Sequence, residues 1–269
     1  MAGRDDWFRE FFVERGGLFG SVLRARRGRG VEEARLVAGL LERHGVGRGS
    51  RVLDLGCGSG RIAVPLAQLG YRVTCLDISR EYVEEALEYA DSVGVRDRVE
   101  GVVGDAWRVD ELVEEGYDAI LLYWTTLIGY KGAPEGDVEL LSRARKIVVS
   151  GGKLFVLRQA DRDLIVARNA LCSMDTIVSD LGDMLVIEKP RFDPIASTLT
   201  NTWIYYRRNG DELECMGKAD FTIRIYTITE LVDIARRAGW ELEALYGSPR
   251  GDPYIPGRTG INAVFRAGE

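Results

Sequence analysis

Histidine occurs once in the 269 residues, at His44, and that scarcity closes off two common chemistries. A lone imidazole argues against a zinc site and against a Ser-His-Asp relay. His44 itself stands before Gly45 at the end of a helical pattern, where a partly cationic ring suits the helix dipole. The four cysteines, Cys57, Cys75, Cys172 and Cys215, are scattered, with neither metal-ligand spacing nor the density of a secreted scaffold. No metal is expected. Lysine is scarce, five against thirty-one arginines, and Asn and Gln are few, a bias that fits a thermophile or GC-rich coding. Long apolar runs are missing too. The most apolar uncharged stretch, Ala119 to Tyr130, is shorter than the roughly 20 residues of a membrane helix. The N-terminal MAGRDDWFRE lacks the apolar core of a signal peptide, so a cytoplasmic location is expected and no membrane partner.

What is present is ordinary in bulk: 46% hydrophobic and 29% charged residues, with a net charge of −6. Acidic and basic residues are mixed and no basic tract occurs, so there is no electrostatic footprint for nucleic acid. The one dense cluster, Arg24, Arg26, Arg27 and Arg29, reads as a solvated turn. The length suits one large α/β domain or one domain with an elaboration.

Helical periodicity covers Trp7 to Val13 and Val31 to His44, the second stopped by Gly45-Val46-Gly47. A buried strand over 51–55 follows, then a helix from Arg61 to Leu69 and a strand from Arg72 to Leu76 closed by Asp77. Ser79 caps a helix over 79–93. Strands at 99–103, 117–123 and 153–158 enclose a helix from Gly136 to Ile147. This alternation predicts a parallel sheet with helices on both faces, its ligand at the carboxyl ends of the strands. After a helix near Arg162 to Ala170 the pattern changes. Residues 184–227 alternate as antiparallel strands, two of them joined by the hairpin signal Asn209-Gly210. A helix capped by Thr229 and strands at 241–246 and 261–265 complete a doubly wound, mostly parallel, seven-stranded sheet. The expected organisation is residues 1–183 as N-terminal helices and core, 184–227 as an inserted β cap, and 228–269 as the end of the core. About 44 residues make too small a core for the cap to stand alone.

The chemistry concentrates in LDLGCGSGR, residues 53–61. Its glycines, Gly56, Gly58 and Gly60, are evenly spaced, and Arg61 occupies the third small position of a dinucleotide fingerprint. A phosphate loop would end in Gly-Lys-Ser/Thr, and this one does not. Asp54, just before the glycines, would repel a pyrophosphate and attract an ammonium. S-adenosylmethionine carries an ammonium and a sulfonium and no phosphate. Its ribose diol needs a carboxylate at the end of the second strand, where Asp77 stands. Its adenine amine needs an acceptor from the third strand end, where Asp105 stands. The ordered set is more specific than any member of it.

On these residues the chain resembles the class I S-adenosylmethionine-dependent methyltransferases, a Rossmann-like fold. The matching stretches are RVLDLGCGSGRIAVPLAQLGYRVTCLDIS (51–79), GDAW (104–107), YDAILLYWTTLIGY (117–130), VSGGKLFVL (149–157) and IYTITELVDIARRAGWELEALYG (225–247). It is most similar to a small bacterial and archaeal subgroup with an antiparallel β insertion, some relatives of which methylate amino sugars or glycine on nitrogen. The segment Thr125-Thr126-Leu127-Ile128-Gly129-Tyr130 departs from the subgroup's Thr-Ser-Phe-Gly-Tyr pattern by one residue. The resemblance implies that Asp54, Gly56, Cys57, Gly58 and Gly60 form the turn around the donor's methionine part. It implies that Asp77 holds the ribose, that Ile78, Asp105, Ala106 and Trp107 surround the adenine, and that Tyr123 lies beside the reacting methyl. The product is then S-adenosylhomocysteine.

Methyl transfer from a sulfonium needs no leaving-group acid, so positioning in a dry pocket carries much of the catalysis. No general base is assigned; Tyr123 is the one candidate named for a catalytic role, and packing explains it equally well. Trp203 and Tyr205 should share one face of a cap strand, with Ile204 and Tyr206 on the other. With Tyr130 and Tyr254 they are the candidate acceptor contacts. The loop over 248–260 is either a lid or a connector stiffened by Pro249, Pro253 and Pro256. A small-molecule acceptor, methylated on nitrogen or oxygen, is favoured by the cap and the lack of a basic surface. The alternatives are an RNA or protein methyltransferase and a protein that binds the donor without transferring its methyl.

Overall fold

Seven strands form the main sheet in the order β10-β11-β5-β4-β1-β2-β3. The computed structural model describes residues 7–171 and 176–268; Cys172 lies outside them. The central strands are β1 (Arg51–Leu55), β2 (Arg72–Asp77), β3 (Val99–Val103), β4 (Tyr117–Tyr123) and β5 (Val148–Gln159), all parallel. The edge strands β10 (Trp240–Tyr246) and β11 (Ile261–Ala267) are antiparallel. Strand order reverses between β1 and β4, which opens a crevice at their carboxyl ends. Buried apolar residues on both sides of these strands explain their near-continuous hydrophobic runs.

The helix α3 (Arg27–Arg43) precedes β1, and α4 (Ala63–Gln68), α5 (Arg80–Ser92), α6 (Val109–Leu112), α7 (Pro134–Lys146), α8 (Arg162–Leu171) and α9 (Ile228–Arg237) fall between later strands. Ser79 caps α5, accepting from the Tyr82 amide at 3.4 Å. The last cap is Thr227, not Thr229: Thr227 and Glu230 form a reciprocal capping box that leaves Thr229 inside the helix. His44 ends α3 as expected. Its ring is held by Glu243 at 2.5 Å and the Tyr246 hydroxyl at 3.1 Å, which ties the helix end to β10.

Two features depart from the sequence reading. The N-terminal helix α1 (Trp7–Arg9) continues as a π-helical turn over Glu10–Glu14, and a further helix, α2 (Gly16–Ala25), follows it. The arginine cluster is therefore a helix joint rather than a solvated turn. Arg24 pairs with Glu85 at 2.5 Å, Arg27 stacks on Tyr89, and Arg26 lies over Trp124 at 5.0 Å. The apolar stripe Leu18, Phe19, Val22 and Leu23 drives α2 into the molecule, and three glycines obscured it in the sequence. Gly20 has a reason to lack a side chain: a Cβ there would meet Tyr82 at 3.2 Å.

The antiparallel sheet has four strands, β6 (Ile177–Asp180), β7 (Met184–Asp193), β8 (Thr198–Asn209) and β9 (Glu212–Arg224), and so begins at Ile177 rather than 184. Its inner face carries Met184, Val186, Leu199, Trp203, Tyr205, Ala219, Phe221 and Ile223. Trp203 and Tyr205 do share that face, and the N-terminal helices fill the space between it and the main sheet.

Asp137, on α7, is fully buried and clasps the two sheets together. It accepts from the Gly129 amide at 2.9 Å and from the Tyr226 hydroxyl at 2.6 Å, while Arg224 at the end of β9 donates to the Gly129 carbonyl at 2.9 Å.

Candidate functional site

At the carboxyl ends of β1, β2, β3 and β4 lies a cavity built from the residues that the sequence singled out. Asp54, Gly56, Cys57, Gly58, Asp77, Ile78, Asp105, Ala106, Trp107 and Tyr123 all line it. Gly60 does not. It has φ +74°, and a Cβ there would lie 2.8 Å from that of Ala86, so Gly60 lets the turn close on α5 from behind.

The glycine turn presents bare backbone. A Cβ on Gly56 would sit 2.3 Å from Thr126 Cγ2, and one on Gly58 would meet Leu23 at 3.0 Å. Asp77 accepts from the Gly58 amide through Oδ2 and from the Ser79 amide through Oδ1, both at 2.9 Å. One carboxylate thus pins the turn and starts α5. Burial pushes Asp54 up to about 7, with Arg61 pulling the other way, and pushes Asp77 up to about 6 against its backbone hydrogen bonds. Two strained acids facing one cavity fit a cationic ligand rich in donors and oppose a phosphate.

At the other end Trp107 stacks with Phe8 at 5.7 Å and is fixed by its indole N–H, which donates to the Gly136 carbonyl at 2.8 Å. Asp105 caps the turn that follows it, accepting from the Trp107 amide at 3.0 Å, and pairs with Arg9 at 3.3 Å. Burial pushes the Tyr123 hydroxyl up to about 12, so at neutral pH it is a hydrogen-bond donor and a poor base.

A second cavity adjoins the first, and Phe12, Phe19, Trp124 and Tyr130 line both. Its other walls include Trp7, Phe11, Thr125, Trp203 and Phe221, with Glu188 and Asn201 as polar members. Of the candidate acceptor contacts, Tyr130 and Trp203 are here. Tyr205 is buried in the cap and lines neither cavity. Tyr254 donates to Asp161 at 2.6 Å, and the 248–260 loop lines neither cavity, its Arg250 lying near Glu32 of α3 at 3.7 Å and its Gly257 against α8. The segment between the cavities is strained: Trp124, Thr125 and Leu127 have φ of 69°, 52° and 66°.

Sequence reasoning missed Phe8, Phe12, Phe19, Arg61, Trp124 and Glu188. Arg61 registered only as a departure from a dinucleotide turn. It is 7% exposed, pairs with Glu33 and lies over the Tyr123 and Trp124 rings at 5.5 Å each. Among the described residues no group of three or more His, Cys, Asp and Glu could hold a metal ion, and no helix is long and apolar enough to cross a membrane.

Sheet order, glycine turn and acids at consecutive strand ends define a class I S-adenosylmethionine-dependent methyltransferase fold. Residues 52–152 match the family model described as a methyltransferase domain. The chain is 30% identical over 119 residues to a ubiquinone biosynthesis O-methyltransferase of Caulobacter sp. (strain K31), a match that covers 43% of this chain and 44% of that protein. The chain thus matches less than half the length of that relative. The CcbJ methyltransferase from Streptomyces caelestis superposes with a TM-score of 0.72 at 23% identity, over 89% of this chain and 90% of that one. The amino pentose methyltransferase CalS10 from Micromonospora echinaspora gives 0.68 at 15% identity, over 93% and 96%. At such identities the structural matches speak for the fold.

Proposed function

We propose that the protein transfers a methyl group from S-adenosylmethionine to a small-molecule acceptor bound under the β cap. The observation that carries this is the pair of adjoining cavities. One is lined by acids and bare glycine backbone, the other by aromatic rings, and they share a wall. The solved amino pentose methyltransferase above supports a small acceptor by likeness of fold.

S-adenosylmethionine supplies a methyl group on a sulfonium, whose thioether leaves without taking a proton. In this reading Asp77 receives the ribose hydroxyls, while Ile78, Ala106 and Trp107 enclose the adenine and Asp105 accepts from its amine. Asp54 sets a negative charge near the ammonium, and Arg61 beside it offers one positive charge to the donor's carboxylate. Tyr123, Trp124 and Tyr130 keep water from the space between the cavities, where exclusion of solvent strengthens every fixed charge. A small, ring-lined acceptor pocket of this kind suits a metabolite better than a folded RNA or protein.

The test is incubation with methyl-labelled donor and a metabolite extract, followed by separation of small molecules from RNA and protein. Label is expected in small molecules. Label found only in macromolecules would refute the reading.

Donor binding carries its own pH signature. Asp54 and Asp77 are held above their ordinary values, near 7 and 6, and a bound cation favours their ionised forms. Affinity should therefore climb as pH rises from about 5 to about 8, with protons released on binding at the lower end. The ligand-free protein has the opposite slope: the contribution of these acids is full below about 4 and is lost as pH rises through their folded values. Calorimetry in buffers of different ionisation heat measures the released protons. A flat profile with no proton release would remove both acids from the donor site.

A further inference from the structure

Three polar side chains of the cap line the ring-walled cavity together: Glu188 on β7, and Asn201 and Trp203 on β8. Glu188 is already answered. Asn201 Nδ2 donates to it at 3.2 Å, Ser179 and Trp203 lie beside it, and the Arg26 guanidinium acts on it across the cap. No negative charge is left for a cation to meet, and the carboxylate repels an anion.

Two other atoms there are unanswered. Asn201 Oδ1 has no hydrogen-bond partner once its amide nitrogen turns to Glu188, and the Trp203 indole N–H has none, although Glu188 is near. The two residues are only 5% and 8% exposed. Other polar groups of the lining are engaged: Trp7 donates to the Tyr130 carbonyl at 3.0 Å, and the Thr125 hydroxyl to the Arg158 carbonyl at 3.2 Å. A buried donor or acceptor left unpaired costs stability, so such atoms call for an explanation. Here one acceptor and one donor stand two residues apart on the same face of one strand, about 7 Å along it.

We infer that this pocket recognises a neutral planar group whose N–H and C=O lie side by side, the edge of a primary amide or a lactam. Its N–H donates to Asn201 Oδ1, its carbonyl accepts from Trp203 Nε1, and its plane lies against the aromatic walls. An ammonium has only donors and leaves the indole N–H unpaired; a carboxylate has only acceptors and leaves the Asn201 oxygen unpaired. A trans peptide bond directs its N–H and C=O to opposite sides and does not offer both on one edge.

That this group belongs to the methyl acceptor rests on the proposed function; that it binds does not. The first measurement therefore titrates the protein, without donor, with benzamide, acetophenone, benzylamine and toluene, four ligands of similar size. Benzamide is expected to bind about 10-fold more tightly than acetophenone or benzylamine. Trp203→Phe keeps an aromatic wall and loses the N–H, so it should weaken benzamide about 10-fold and leave toluene unchanged. Benzamide no tighter than acetophenone would mean that water answers both atoms, and overturns the inference, as does benzylamine binding as tightly as benzamide. Equal losses of benzamide and toluene in Trp203→Phe also overturn it, since packing alone would then be at work. The second measurement adds benzamide or toluene to the labelling of the metabolite extract. Benzamide is expected to suppress small-molecule label and toluene to leave it. Selective binding without suppression overturns the assignment to the acceptor. Selective binding in a protein that labels no small molecule refutes the proposed function and leaves the amide pocket standing.

Discussion

Asp77→Ala is expected to lower the affinity for S-adenosylmethionine by at least about 100-fold, since charge-assisted hydrogen bonds contribute about 1.5–3 kcal/mol each. Asp77 has two duties at one place. It binds the Gly58 and Ser79 amides at 2.9 Å and so fixes the glycine turn against the start of α5. The same carboxylate lines the donor cavity while only 8% exposed. Alanine removes the acceptor offered to the ribose hydroxyls and releases the turn that shapes the methionine end. Asp77→Asn keeps the size, loses the charge and can accept from only one of the two amides. Its donor affinity should fall by more than about 10-fold, with a melting temperature between those of Asp77→Ala and the unaltered protein. Calorimetric titration reads both variants, and an unchanged affinity in Asp77→Asn would take the carboxylate out of donor recognition.

The second large effect belongs to Gly129→Ala. Gly129 has φ +85°, and a Cβ there would lie 2.0 Å from the carbonyl oxygen of Arg224. Left-handed strain and a backbone collision add, and the expected destabilisation is about 3–5 kcal/mol, or roughly 10 °C in melting temperature. Gly132 provides the control. It also has positive φ, at 72°, but nothing lies within 4 Å of its Cβ position, so Gly132→Ala should pay the strain alone, about 1 kcal/mol. Differential scanning calorimetry distinguishes them. Equal losses would mean that the close approach of β9 is not what demands glycine at 129. A drop confined to Gly129→Ala would show that the joint between cap and core is a stability centre of the whole chain.

The cavity proposed for the donor was legible because its signals are local. Strand ends, a glycine turn and an acid after each of three strands all appear within about 55 residues, and parallel topology brings such ends together without further information. The cap was legible as alternation and a hairpin turn. Which of its faces turned inward was not, since period-two patterning marks two faces and tertiary packing chooses between them. Glu188 illustrates this: in MLVIEKPRF it is one more charge in a strand, and only the pairing with Trp203 puts it indoors. Helix α2 was hidden by Gly16, Gly17 and Gly20, whose poor helix propensity outweighed the apolar stripe in the sequence. Tyr254 was a candidate acceptor contact and the 248–260 loop a candidate lid, but neither lines a cavity. The pairing of Tyr254 with Asp161 is a contact across 93 positions that no local pattern announces.

The shared wall of the two cavities has a kinetic consequence. Phe12 and Phe19 sit on the segment formed by the π-helical turn and α2, and they border donor and acceptor space alike. In the proposed function the two ligands meet across these rings and are held at the same time. Steady-state lines at varied donor and acceptor concentrations should intersect rather than run parallel, the signature of a ternary complex.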